Sequence, residues 1–232
     1  MIAIDQGIVH YLNQFSQRWP GFDEVVVMLS NSDLAKGGIV VGAVWGAWFC
    51  INGANANRNR SSVLSAVFGA LVALFVARVL AAVLPLRTRP VLDASLNFRP
   101  PSGLPDQSNW TTWSSFPSDH AALFLSLGLG VFYVSKKWGS ILFAYIFVFI
   151  CLPRIYVGIH YPTDILGGAA LGLGAVMFLA IPGINAIWAP PVLTFAERRP
   201  ALFYMLFFVL SFQMATLFWD IRIVLNYYGF SS

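Results

Sequence analysis

Apolar residues run almost unbroken through six stretches, roughly 37–53, 62–86, 118–135, 139–158, 164–182 and 201–219, with polar segments between them. About 20 mainly apolar residues cross the hydrocarbon core of a bilayer, fewer where flanking groups snorkel, so the pattern predicts six transmembrane helices. Ahead of them Ile4, Ile8, Leu12, Phe15 and Trp19 recur at helical spacing, while Gln6, His10, Asn13 and Gln17 take the other side. That spacing predicts an amphipathic helix lying in the membrane interface, with His10 on its solvated side. The expected fold is all-α and polytopic: one membrane domain over residues 1–232, with 1–35 as the interfacial segment and 37–219 as the six-helix core.

Composition agrees with this picture. Hydrophobic residues make up 58% of the chain and charged ones 10%, less than half the charged share of about 25% typical of soluble domains. The formal net charge is +4, but the basic residues sit in short clusters between apolar runs and form no stripe that a nucleic acid could follow. They serve topology instead. Arg58 and Arg60, Lys136 and Lys137, and Arg198 and Arg199 mark three loops as cytoplasmic, which turns the segments 87–117 and 153–163, and both termini, outward. Residues 1–20 carry Asp5, Gln6, His10, Asn13 and Gln14 where a signal peptide needs an apolar core, so export is expected to rely on the first transmembrane helix. Cys50 and Cys151 lie in different apolar runs at opposite expected depths, too few for a zinc cluster and too distant for a bridge. Glycines four apart, at 38, 42 and 46 and at 168 and 172, suit close helix packing.

Polar chemistry collects in the two outward segments: Arg87 and Arg89 in RTRP, Ser118, Asp119 and His120 in PSDH, and Arg154, His160 and Asp164 in RIYVGIHYPTD. Pro117 and Ser118 precede a long apolar helix, whose free backbone N–H groups and partial positive charge favour an anion such as phosphate. His160 and Asp164 stand four apart across Pro162. A carboxylate on one ring nitrogen fixes the tautomer and leaves the other nitrogen free to attack phosphorus. The arginines can neutralise phosphate oxygens two at a time. Read singly, each has a plainer account: a capping serine, a histidine capping a membrane helix, an arginine snorkelling at the surface.

Together, R-x5-H-x3-D at Arg154, His160 and Asp164, PSDH at 117–120 and RP at 89–90 resemble the type-2 phosphatidic acid phosphatase superfamily, whose motifs are written K-x6-RP, PSGH and SR-x5-H-x3-D. The likeness covers roughly residues 78–170. It implies that His160 attacks phosphorus and becomes phosphohistidine, with Asp164 orienting it. His120 protonates the leaving oxygen and later assists water, and Arg89, Ser118 and Arg154 hold the phosphoryl oxygens. It also implies a reaction without a metal ion or other cofactor.

Three positions depart from the motifs: Ala82 stands where the first has lysine, Asp119 where the second has glycine, and Pro153 where the third has serine. Arg87 or Arg78 could supply the missing charge, and Asp119 could still offer its amide; Arg78 inside a membrane helix is costly unless it faces a polar cavity. The sequence RPPSG at 99–103 has no following histidine and is a decoy. Trp110 and Trp113 in the long loop are read as interfacial anchors that shape head-group choice. The implied substrate is a lipid phosphate in the membrane: a polyprenyl diphosphate such as undecaprenyl diphosphate first, then phosphatidic acid or phosphatidylglycerol phosphate. The rival of another class is a transporter or flippase that binds such a lipid without cleaving it.

Overall fold

The computed structural model of the chain describes residues 3–50, 56–105, 111 and 113–219, and among them every regular element is helical. An N-terminal pair, α1 (Ala3–Asn13) and α2 (Pro20–Asn31), leads through a π-helical turn at Leu34–Gly38 into α3 (Ile39–Phe49). Then come α4 (Ala56–Val83), α5 (Asp119–Val134) and α6 (Lys136–Tyr145), which passes through a second π-helical turn, Ile146–Cys151, into α7 (Leu152–Tyr156). The chain continues as α8 (Pro162–Leu179), α9 (Pro182–Arg198) and α10 (Pro200–Ala215). Four helices open on a proline, where the missing N–H would have had no intrahelical partner.

Among the described residues three helices are long and apolar enough to cross a membrane: Ala56–Val83, the continuous Lys136–Tyr156, and Pro162–Leu179. These are the expected stretches 62–86, 139–158 and 164–182. The expected stretch 37–53 starts earlier and forms, with α2, a pair of apolar helices bent by 63°. Asp119–Val134 and Pro200–Ala215, at 118–135 and 201–219, are apolar but shorter.

Two elements differ from expectation. The segment ahead of Arg198 and Arg199, read as a loop, is the helix α9 despite Pro190 and Pro191 inside it. It is secured at one end by tertiary bonds, Ser61 Oγ donating to Asn185 Oδ1 at 2.7 Å and Trp188 Nε1 to the Leu179 carbonyl at 3.2 Å. In α1 neither expected side is buried as a face: Ile4, Ile8 and Gln6, and beyond it Gln17 and Trp19, are all exposed, whereas Asp5, Val9 and Ser16 are buried. His10 is exposed, and neither cysteine is in a disulfide.

The centre of the bundle is α4, α5 and α8 packed on one another. A Cβ added at Gly172 would lie 2.3 Å from the Ala122 carbonyl oxygen, and one at Gly168 would lie 2.3 Å from that of Ser118. The α5 and α8 backbones therefore touch through these glycines, as their spacing predicts. Gly42 and Gly46 have nothing within 4 Å of a Cβ, so among the described residues these two positions on α3 meet no neighbouring helix. Instead α3 meets α10 through aromatic side chains, with Trp48 Nε1 donating to Tyr204 Oη at 3.2 Å and Trp45 Nε1 to Ser211 Oγ at 3.1 Å.

Helix direction decides where the charged residues end up. The C-terminal ends of α4 and α7 and the N-terminal ends of α5 and α8 lie at one end of the bundle and carry Arg78, Arg154, His120 and Asp164. Arg58, Arg60, Lys136 and Lys137 sit at the other ends of the same helices.

Candidate active site

His160 sits in the tight turn between α7 and α8. Gly158 adopts φ of +75°, a region that side chains disfavour, and a Cβ there would meet Phe98 Cζ at 2.7 Å. The turn wraps the Arg154 carbonyl, which accepts from Ile159 N at 3.0 Å and His160 N at 3.2 Å. The imidazole is thereby held inside the protein, 6% exposed. Its Nδ1 lies 2.9 Å from the Ser115 carbonyl oxygen and 3.6 Å from Asp164 Oδ2. A carbonyl oxygen only accepts, so Nδ1 carries the proton and the lone pair resides on Nε2. Burial holds the His160 pKa below the ordinary 6.5; the Asp164 carboxylate works against that, and the Arg89 and Arg154 cations add to it. The ring is neutral at pH 7, as a nucleophile must be.

Asp164 is fully buried in the first turn of α8. Its Oδ2 accepts from Tyr161 N at 2.7 Å, closing a capping box, and its Oδ1 accepts from Arg87 Nη1 at 2.5 Å. The Arg87 guanidinium lies over the Tyr161 ring, 4.5 Å from its centroid, and donates to Thr163 Oγ1 at 2.9 Å and Asp5 Oδ2 at 2.6 Å. Arg87 is itself placed by a bond from Ser115 N to its carbonyl at 2.9 Å, next to the carbonyl that holds His160.

The second histidine comes from α5. Ser118 is the N-cap of that helix, fully buried, and its hydroxyl accepts from Ala121 N at 3.5 Å. Its amide donates to the Asp164 carbonyl at 3.0 Å, which docks the first turns of α5 and α8 together. Two residues on, His120 Nε2 accepts from Arg154 Nη2 at 2.6 Å, and the same nitrogen donates to the Ser30 carbonyl at 3.1 Å. Asp119 pairs with Arg78, whose guanidinium lies over the Trp113 ring at 5.3 Å. Arg78 thus has a charged partner and an aromatic face. Burial lowers the Arg89 pKa to about 10, with Asp119 and Asp164 opposing and Arg78 assisting; Arg89 stays a cation at neutral pH.

Every residue singled out in the three motifs therefore lies at one end of the bundle. Arg87 and Asp164 back His160, while Arg154 joins His120 and Arg78 joins Asp119. The RPPSG segment stands apart, tied to the N-terminal pair by Asn13, Ser16, Gln17 and Asp23. Trp110 lies outside the described residues. Sequence reasoning missed Asp5, Thr163 and the Ser115 carbonyl. It also missed Lys36 on the first π-helical turn, which pairs with Asp33 at 3.4 Å within electrostatic range of Arg154. A signal existed for Asp5: with only 10 acidic residues in the chain, one near a helix start invites a search for its cation.

Apolar helices of membrane length, carrying a buried histidine with its carboxylate and a cluster of arginines at one end, define a membrane protein equipped to handle an anion. The chain belongs to the PAP2 superfamily, whose sequence profile matches residues 62–188, more than half its length. That span contains all nine sequence-derived site residues and omits α1, α2, α3 and α10. Over 90 residues the chain is 36% identical to the bacitracin transport permease protein BcrC of Bacillus licheniformis, covering 39% of this chain and 40% of that protein. It is 35% identical over 81 residues to phosphatidylglycerophosphatase B of Bacillus subtilis, covering 31% and 39%. It is 34% identical over 67 residues to the undecaprenyl-diphosphatase of Sulfolobus acidocaldarius, covering 29% and 32%. The matches thus span two fifths or less of these relatives. No solved structure matches the chain.

Proposed function

We propose that this protein is an integral membrane phosphatase that removes the terminal phosphate of a polyprenyl diphosphate such as undecaprenyl diphosphate. Its six apolar units each cross the bilayer, α1 lies in the interface, and the site faces the extracytoplasmic side. The placement follows from Arg58, Arg60, Lys136, Lys137, Arg198 and Arg199, which belong with the cytoplasm. The observation that carries the reading is the state of His160, with Nδ1–H engaged by a carbonyl and the lone pair left on Nε2. Binding alone needs positive charge; an oriented, neutral imidazole backed by a carboxylate suits attack.

In this reading Nε2 of His160 attacks the terminal phosphorus in line, forming N–P as the P–O bond to the lipid phosphate breaks. Arg89, Ser118 and Arg154 hold the phosphoryl oxygens. Substrate phosphate takes over the Arg154 guanidinium, which frees His120 Nε2 to take a proton from solvent and pass it to the leaving oxygen. Water then hydrolyses the phosphohistidine, with His120 accepting its proton, and the products are the lipid monophosphate and inorganic phosphate. Relatives named as undecaprenyl-diphosphatase and phosphatidylglycerophosphatase favour lipid phosphates, and the second name keeps phosphatidylglycerol phosphate and phosphatidic acid as alternative substrates.

A relative named as a transport permease supports the rival reading of a carrier. Detergent-purified protein incubated with undecaprenyl diphosphate, phosphatidic acid or phosphatidylglycerol phosphate in EDTA should release phosphate, fastest from the first. His160→Ala should lower the rate by about a thousandfold or more, because no other group replaces the nucleophile. No release from any lipid, or unchanged release after His160→Ala, overturns the phosphatase reading. Transfer of intact lipid across vesicles would then favour the carrier.

A further inference from the structure

We infer that Asp5 is a positioning residue for the proposed nucleophile, acting on His160 through Arg87 and Asp164, so that helix α1, outside the matched family region, is a working part of the site. The inference rests on the phosphatase reading for its consequence and on hydrogen bonds for its geometry.

Asp5 is 0% exposed, although Ile4 beside it is 65% exposed. Its carboxylate accepts from Arg87 Nη2 at 2.6 Å, Thr163 Oγ1 at 2.6 Å and Thr163 N at 3.0 Å. It thus covers the N-terminal turn of α8, where a negative charge is favourable, one residue from Asp164. On the far side of the guanidinium, Asp164 Oδ1 accepts from Arg87 Nη1 at 2.5 Å, and Asp164 Oδ2 stands 3.6 Å from His160 Nδ1. The charges alternate: carboxylate, guanidinium, carboxylate, imidazole. A buried ion held without its counterion is costly, so each member fixes the next.

The second carboxylate matters for the chemistry. As Nε2 bonds to phosphorus the imidazole becomes positive, and Asp164 must stabilise that charge. With Asp164 as its only anion, Arg87 would offset most of the carboxylate's field at His160. Asp5 balances the guanidinium and leaves the Asp164 charge available to the ring. Other charges act on His160 from the remaining elements: Arg89 from the loop after α4 and Arg154 from α7. Asp93, which accepts from Tyr161 Oη at 3.1 Å, lies beyond the turn. The bonds of Asp5 run to Arg87 and Thr163, and a change there reaches the ring through Arg87.

The test compares Asp5→Asn and Asp5→Glu with the parent protein, using phosphate release from farnesyl diphosphate across pH and thermal unfolding in detergent. Asparagine keeps the shape and removes the charge. It should lower kcat about tenfold, leave KM within about twofold, and move the acid limb of kcat/KM to lower pH by about half a unit. Glutamate should restore the limb with part of the rate. An acid limb that stays in place or moves upward in Asp5→Asn overturns the inference, including when activity falls in step with thermal stability, the mark of a merely structural residue. The same displacement is readable without turnover as the His160 imidazole titration in nitrogen-15 NMR. A parent protein that releases no phosphate therefore defeats the phosphatase reading, while the NMR shift still decides the role of Asp5.

Discussion

Between α5 and α8, Gly168 and Gly172 set backbone against backbone. The N-terminal helices reach the site end of the bundle differently. Asp5, Asn13, Ser16, Gln17 and Asp23 form hydrogen bonds to α8 and to the 97–103 loop. In the middle of the bundle close packing is the available glue, because lipid is as apolar as the side chains and offers no hydrophobic drive. At the end of the bundle polar groups are plentiful, and directional bonds fix geometry. The proposed catalytic groups sit where the two regimes meet: His120 and Asp164 on first turns of the packed helices, Arg87 on a loop that α1 pins.

This contrast can be broken most severely in the packed region. In Gly172→Leu the Cβ alone would overlap the Ala122 carbonyl oxygen and Ser126 Oγ, at 2.3 and 2.7 Å. Overpacking against backbone should cost about 3 kcal/mol and reduce the folded yield, read as thermal unfolding in detergent. A variant as stable as the parent would show that α5 and α8 are not in close contact.

A smaller and more local loss is expected from Asp23→Ala. Asp23 accepts from Tyr156 Oη at 2.5 Å, Gln17 N at 2.8 Å and Ser102 N at 3.0 Å. Its removal should cost about 2 kcal/mol. Amide exchange should quicken in residues 97–104 while α5 and α8 keep their protection. Uniform acceleration across the bundle would mean that the two regions unfold as one.

The seam itself is probed by pH. Attack requires neutral His160, and burial lowers its pKa, so the neutral form persists below pH 6.5. The acid limb of kcat/KM should lie below that value; a limb above it would show that Asp164 outweighs burial.

Particular residues show why some of this was readable in advance. The long apolar runs became helices because nothing else satisfies backbone polar groups in an apolar surrounding. Arg154, His160 and Asp164 were found because the α7–α8 turn that joins them is local. Spacing could not tell which glycine row packs, since the rows on α3 and α8 look alike and only α8 faces a backbone. Nor could it show that the Ser118 amide is taken by the Asp164 carbonyl, or that Asp5 of α1 is buried while Ile4 and Ile8 stay exposed.

By itself the sequence determined the helical class, the sense in which charges divide between the two ends of the bundle, and the residues with chemistry to offer. These depend on composition and on contacts within a few positions of one another. The tertiary structure alone decided who partners whom: Arg87 with Asp164 and Asp5 rather than with open solvent, Arg78 with Asp119, Arg154 with His120, and the Ser115 carbonyl with His160. Those pairings join positions 34 to 82 residues apart, and long-range ion pairing depends on distance and burial, neither of which is written in the order of residues along the chain.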